Sequence, residues 1–312
     1  MKHFLDIADF SGEEINNTLN LGLKLKSELK SGVFRPHLKN KVLAMVFQKP
    51  SLRTRVSFDM AMRTLGGDAL YLSPQEIGLG KRESIADVAR VLSGYVQIVM
   101  ARVFAHEHVL ELAKWSEVPV INGLSDYNPP CQAMSDALTI LEEFGDLQGL
   151  TVSYIGDGNN VAVSLMKIVT KLGADFRIAN PEDYDMPQDD IDQSRAFAQI
   201  SGGSVTLLRD PEVAAEGADV IYTDTWTSMG QEEEAKKRER VFPPYQVNQD
   251  LVMLAKPNSI VMHCLPAHRG QEITNEVADG PHSRLFVQAE NRMHAQKSII
   301  VDLLLGGDPD AQ

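Results

Sequence analysis

Short apolar runs alternate with stretches of helical periodicity along almost the whole chain. Val42–Phe47 reads as a buried strand. Further strand patterns fall at Ala69–Leu72, Ile98–Arg102, Val118–Ile121, Thr151–Ile155, Phe176–Ala179, Ser204–Leu208, Val220–Thr223, Ile260–His263 and Leu285–Gln288. Helical patterns separate most of them. Ser11-Gly12-Glu13-Glu14 is a capping box that opens a helix toward Lys30. Arg53–Leu65 has helical spacing and is closed by Gly66-Gly67, and Ser84–Leu92 places Ile85, Val88, Ala89 and Leu92 on one face. A long helix over Met134–Phe144 precedes a restart of the rhythm at Gly149-Leu150, and a last helix covers Ala289–Leu305 before a frayed tail. Such alternation predicts two α/β halves with parallel sheets. In the run 232–240, acids precede bases, which suits i,i+4 pairing on a solvated helix face.

Size and composition agree with that reading. At 312 residues, 43% hydrophobic and 23% charged, the chain has material for about two cores. A disordered chain, a fibre and a disulfide-stapled miniprotein are excluded. With 30 basic against 43 acidic residues the net charge is −13. General nucleic-acid or anionic-membrane binding is therefore not expected, and any bound anion needs a local cationic cluster. The two cysteines, Cys131 and Cys264, have no metal-site spacing and point to a reducing, cytoplasmic setting. No apolar run is long enough to span a bilayer, and the first residues read as neither signal nor transit peptide.

Two loops carry candidate chemistry. Lys49-Pro50-Ser51-Leu52-Arg53-Thr54-Arg55 lies between a buried strand and a helix. A helix start offers unpaired N–H groups, the hydroxyls add donors, and arginine forks suit phosphate oxygens. An ordinary capped helix with two solvent-facing arginines explains the same composition. Gly156-Asp157-Gly158-Asn159-Asn160 follows a strand but has Val161 where a dinucleotide loop needs glycine. A turn that needs glycine and asparagine for its backbone angles accounts for the glycines, though not for the paired asparagines.

Taken together, the segments resemble the ornithine carbamoyltransferases. Ser51-Leu52-Arg53-Thr54-Arg55 is similar to that family's S-T-R-T-R, and Asp224-Thr225-Trp226-Thr227-Ser228-Met229-Gly230 to its D-x-x-x-S-M-G loop. His263-Cys264-Leu265-Pro266 matches H-C-L-P, Pro130-Cys131-Gln132 the end of H-P-x-Q, and Ala289-Glu290-Asn291-Arg292 the start of the last helix. The motifs run in the family's order from residue 51 to 292.

The resemblance implies transfer of a carbamoyl group from carbamoyl phosphate to the δ-amine of L-ornithine, with neither metal nor organic cofactor. By it, Ser51, the Leu52 backbone, Arg53, Thr54 and Arg102 hold the phosphate. Gln132 binds the carbamoyl NH₂, and Arg53, Thr54 and Arg292 face the carbonyl oxygen. Asn160, Asp224, Ser228 and Met229 bind ornithine, while Cys264 and the Leu265 carbonyl orient its amine; Arg53, Thr54, Cys264 and Arg292 form the catalytic set. The implied fold is α/β: two doubly wound parallel-sheet domains with an interdomain cleft. Residues 1–137 plus 289–312 form the carbamoyl-phosphate domain and 138–288 the ornithine domain. The resemblance also implies a homotrimer.

The chain departs from the family at Pro129, where histidine donates to the carbamoyl oxygen. Proline has no such donor, and losing one oxyanion donor costs ~10²–10³ in rate. Reduced activity, replacement of the donor by Asn128, and a ligand-binding protein without efficient turnover all stand as readings. Leu52 removes one hydroxyl, Gly78 stands where the family often has Gln or His, and Val163 where a polar residue is common. An acylornithine acceptor is a further alternative, although it leaves Asp224 without a use. A dehydrogenase is the remotest reading.

Overall fold

A computed structural model of the chain describes residues 2–227 and 232–309. It divides into two compact units, Met1–Leu138 with Asn291–Gln312, and Thr139–Glu290. Helices α6 (Pro130–Phe144) and α13 (Leu285–Leu305) each begin in one unit and end in the other.

The first unit holds a four-stranded parallel sheet of order β2-β1-β3-β4, comprising β1 (Val42–Phe47), β2 (Asp68–Leu72), β3 (Ile98–Arg102) and β4 (Val120–Leu124). Helices α1 (Gly12–Lys30), α2 (Leu52–Thr64), α3 (Pro74–Ile77), α4 (Ile85–Ser93) and α5 (His106–Trp115) fill the connections. β3 is buried at every residue and β1 at all but Val42, as a strand covered on both faces must be; edge strand β2 is largely accessible. The expected strand at 118–121 begins two residues later because Ser116 and Val118 are held in a turn, with Ser116 Oγ bonding the Val118 carbonyl. The N-terminal segment extends the sheet beyond β4: Phe4 N donates to the Val120 carbonyl and Asn122 N to the Phe4 carbonyl.

The second unit holds a five-stranded parallel sheet of order β7-β6-β5-β8-β9. Its strands are β5 (Thr151–Ile155), β6 (Asp175–Ala179), β7 (Ser204–Leu208), β8 (Val220–Thr223) and β9 (Ile260–His263). The helices α7 (Asn160–Lys171), α8 (Gln188–Ser201), α9 (Pro211–Ala215), α10 (Ala235–Val241), α11 (Gln249–Val252) and α12 (Asn275–Ala278) complete it. One core cluster runs from Ile155 and Ile221 through Val261 to Leu285.

Two sequence expectations change. Leu285–Gln288 is the first turn of α13 and not a strand. The edge beside β9 is already bridged by His282–Arg284, where Val261 N donates to the His282 carbonyl and Arg284 N to the Val261 carbonyl. Leu285 and Gln288 are both buried, which a helix achieves at i,i+3 and a strand does not. The run 232–240 is not wholly a solvated face either. Arg238 is 5% exposed and pairs with the equally buried Asp157 at 2.7 Å, as well as with Glu234 one turn back.

Candidate active site

In both sheets the candidate residues gather at the carboxyl ends of the strands flanking the point where strand order reverses. That is where parallel α/β sheets leave a crevice for ligands. In the first unit the reversal lies between β1 and β3, which pair with Phe47 opposite Arg102. The chain leaves β1 into Gln48–Pro50, and Ser51 caps α2, its hydroxyl accepting from Thr54 N. Thr54 is fully buried and is the hub of the cluster. Its hydroxyl oxygen receives Arg102 Nη1 at 3.4 Å, Arg292 Nη2 at 3.1 Å and Ser51 Oγ at 3.1 Å. Two guanidinium groups held this close repel one another and call for an anion. Burial, then Arg292, then Arg53 push the Arg102 pKa down to about 10, so it remains charged at neutral pH. Among the described residues Arg102 Nε is buried without a hydrogen-bond partner. Burial and Arg102 also lower the Lys49 pKa, with Asp126 opposing.

Other sequence candidates take different positions. Arg53 and Leu52 at the start of α2 are exposed. Arg55 stacks over Tyr71, 4.0 Å from the ring centroid. Gln132, in the first turn of α6, is buried beside Asp136, to which its Nε2 donates at 2.7 Å. Cys131 is buried, which raises its thiol pKa to about 12 and leaves it inert as a nucleophile at neutral pH.

Asn128 bonds to the scaffold around the turn before Pro129. Its Nδ2 donates to the Leu5 carbonyl at 3.2 Å, and its Oδ1 accepts from Asn122 Nδ2 and Ser125 Oγ. That side chain ties the turn to the N-terminal segment. Leu265–Pro266 is the one cis peptide among the described residues, so both bonds flanking Pro129 are trans.

In the second unit the reversal lies between β5 and β8. Asp224 follows β8 and is buried. Its Oδ1 accepts from Cys264 Sγ at 3.1 Å and its Oδ2 from Asn159 Nδ2 at 2.9 Å. Asn159 also caps α7 by accepting from Val161 N and Ala162 N, and Tyr154 OH donates to the same oxygen at 3.3 Å. Burial first, then the neighbouring carboxylates Asp224 and Asp157, hold the Tyr154 hydroxyl well above its ordinary pKa. Asn159 thus fixes Asp224, a role the motif spacing did not disclose. Asn160 is the first residue of α7. Ser228 and Met229 lie outside the described residues.

Cys264 is held by its neighbours. Leu265 N donates to His263 Nδ1 at 2.9 Å, which leaves the proton on Nε2, 3.0 Å from Glu272 Oε1. His263 N donates to Gln288 Oε1, and Gln288 Nε2 to Tyr222 OH. His263 is therefore structural: it supports Leu265, whose φ of +57° is rare for a leucine. Asp224, His263 and Cys264 each place a possible ligand atom within 4.8 Å of the others. Both ring nitrogens of His263 are already engaged, so a metal there would have to break one of these bonds.

With this geometry in hand, comparison with known proteins is specific. Residues 2–142 match the family model "Aspartate/ornithine carbamoyltransferase, carbamoyl-P binding domain", and residues 148–303 match "Aspartate/ornithine carbamoyltransferase, Asp/Orn binding domain". The chain is 54% identical over 308 residues to the ornithine carbamoyltransferase of Pyrococcus abyssi, covering 98% of this chain and 96% of the relative. The solved ornithine carbamoyltransferase from Pyrococcus furiosus is 53% identical, covers 98% of both chains and superposes with a TM-score of 0.95. A solved acetylornithine transcarbamylase in complex with acetylcitrulline is 32% identical, covers 97% of this chain and 99% of its own, and has a TM-score of 0.88.

Proposed function

The chain belongs to the aspartate/ornithine carbamoyltransferase family, and from that membership we propose that it carbamoylates the δ-amine of L-ornithine, giving L-citrulline and phosphate in arginine biosynthesis. The observation that carries the donor half is the convergence of Arg102 and Arg292 on buried Thr54 at the start of α2. The phosphate is held by Ser51, the Leu52 backbone N–H, Arg53, Thr54 and Arg102, and Gln132 takes the carbamoyl NH₂. Arg292, Arg53 and Thr54 meet the carbonyl oxygen as it gains charge, the kind of preplaced donor set that lowers such barriers by several kcal/mol.

Ornithine is held by Asp224, Asn160, Ser228 and Met229, with Asn159 fixing the Asp224 carboxylate. Cys264 and the Leu265 carbonyl orient the δ-amine. The neutral amine attacks the carbonyl carbon, the bond to the phosphate oxygen breaks, and the departing phosphate takes the amine proton. No metal or organic cofactor enters this scheme. An acylornithine, although handled by one solved relative, would have no ammonium for Asp224 to meet.

The protein works as a cytoplasmic homotrimer on this reading. Support for an association surface comes from α2, where Leu52, Val56 and Met60 are 77%, 49% and 39% exposed at i, i+4 and i+8. The reading is tested by citrulline formation from carbamoyl phosphate and ornithine, run beside Pro129→His. We expect measurable turnover in the parent and a kcat gain of about 10²-fold in the variant. Ligand binding without citrulline from either protein would replace the transferase with a binding protein, the reading that Pro129 and the engaged Asn128 side chain favour.

A further inference from the structure

We propose that Asp136 is a positioning residue that locks the Gln132 amide with its oxygen toward the donor, and that this pair selects carbamoyl phosphate over other acyl phosphates. The inference rests on the reading of Gln132 given above and extends it to a residue no motif marks.

The two ends of a glutamine amide are nearly equal in size and opposite in function, so its bonding partners decide which end faces where. Gln132 and Asp136 sit one turn apart on α6, 5% and 1% exposed, with Nε2 and Oδ1 2.7 Å apart. A carboxylate accepts and does not donate, so the NH₂ end of Gln132 must face Asp136. The carbonyl end is thereby turned the other way, and among the described residues no donor is bonded to Gln132 Oε1. The main chain from which the side chain departs is fixed, since Gln132 N donates to the Pro129 carbonyl at 2.9 Å at the helix start.

Gln132 Oε1 has no donor among the described residues and is open to a ligand N–H. The same carboxylate polarises the amide and strengthens Oε1 as an acceptor. Carbamoyl and acetyl phosphate differ only by NH₂ against CH₃, which pocket size cannot separate. An acceptor fixed in place separates them, because the methyl group leaves it unpaired.

Binding of carbamoyl phosphate, acetyl phosphate and inorganic phosphate to the whole protein by calorimetry tests this without needing turnover. The parent should favour carbamoyl over acetyl phosphate. Asp136→Asn brings a donor that lets the amide turn over, so carbamoyl phosphate should weaken roughly 10- to 100-fold while acetyl phosphate and phosphate change less than about threefold. Gln132→Met should lose the same preference, and the double variant should lose no more than either single one. Equal weakening of all three anions in Asp136→Asn would make Asp136 a structural residue and overturn the proposal, as would an unchanged preference. If Asp136→Asn does not fold, Gln132→Met decides alone, and a preference retained there overturns the proposal. A parent that discriminates but makes no citrulline would sink the transferase reading and leave this one standing.

Discussion

Individual side chains here are explained by what they touch more than by where they stand in a motif. Asn128 has a motif neighbour's position but a scaffold's bonds. Asn128→Ala should cost about 1–3 kcal/mol in urea unfolding through its lost buried hydrogen bonds, while kcat/KM stays within threefold. A large loss of turnover with intact stability would instead return Asn128 to the reaction. Lys297 on α13 makes the pH argument. It is buried, its Nζ donates to the Leu25 carbonyl at 3.0 Å, and burial lowers its pKa from 10.5 to about 8, opposed by Glu28. Below pH 8 the lysine is charged both folded and unfolded, and the full burial penalty weighs on the folded state. Between pH 8 and 10.5 unfolding takes up a proton, so stability rises with pH across that window. Lys297→Met should therefore be more stable than the parent by about 1–3 kcal/mol at pH 7, and unfolding curves should converge toward pH 10.5.

Helices and strands carry information that their residues alone do not. α10 is read from sequence as a charged surface helix, yet Arg238 fastens it inside the second unit. Its guanidinium meets Asp157 and the Trp226 carbonyl at 2.7 and 2.8 Å and lies over Tyr184, 4.7 Å from the ring centroid. Asp157 stands in the turn that delivers Asn159 to Asp224. Arg238→Met leaves that carboxylate buried without its cation and should cost about 3–5 kcal/mol at pH 7. Burial already raises the Asp157 pKa above 3.8 against the lowering effect of Arg238, and the variant removes that lowering. The folded carboxyl then binds a proton that the unfolded one does not, so the defect should shrink as pH falls from 7 toward 5. Constant destabilisation across that range would mean that packing around Tyr184 and Phe242, not the ion pair, is what was lost. The start of α13 has the same moral. Leu285–Gln288 has strand composition, but the bridge made by His282–Arg284 had already closed that edge.

At the scale of the molecule, two parallel sheets each set their candidate residues at their own strand-order reversal, one for an anion and one for an amino acid. A chain of net charge −13 thereby offers a compact cationic cluster at Thr54, Arg102 and Arg292. The association surface proposed on α2 belongs to this scale. Val56→Lys puts a charge in the middle of the exposed Leu52-Val56-Met60 stripe, and sedimentation should show the trimer of the parent falling to monomer in the variant. A trimer that survives both Val56→Lys and Met60→Lys would remove this face from the interface.

The alternation of apolar runs with 3.6-residue periodicity was enough to place the strands and helices α1, α2, α4, α6 and most of α13, because both are local regularities. Six strands, from Val42–Phe47 to Ile260–His263, coincide residue for residue with the pattern. The Ser51–Arg55 and H-C-L-P segments were likewise legible as motifs, since their residue types stand together in the chain. What lay beyond the sequence was every choice made by a distant partner. Asp224 binds Asn159 across 65 residues, Arg238 reaches Asp157 across 81, and Asn128 turns to Leu5 across 123. Even Asp136, only four residues from Gln132, shows its purpose only once both are buried on one helix face. Periodicity fixes which way a side chain points along its own element. Which group it meets there depends on how the elements pack, and a buried polar atom must take whatever partner that packing supplies.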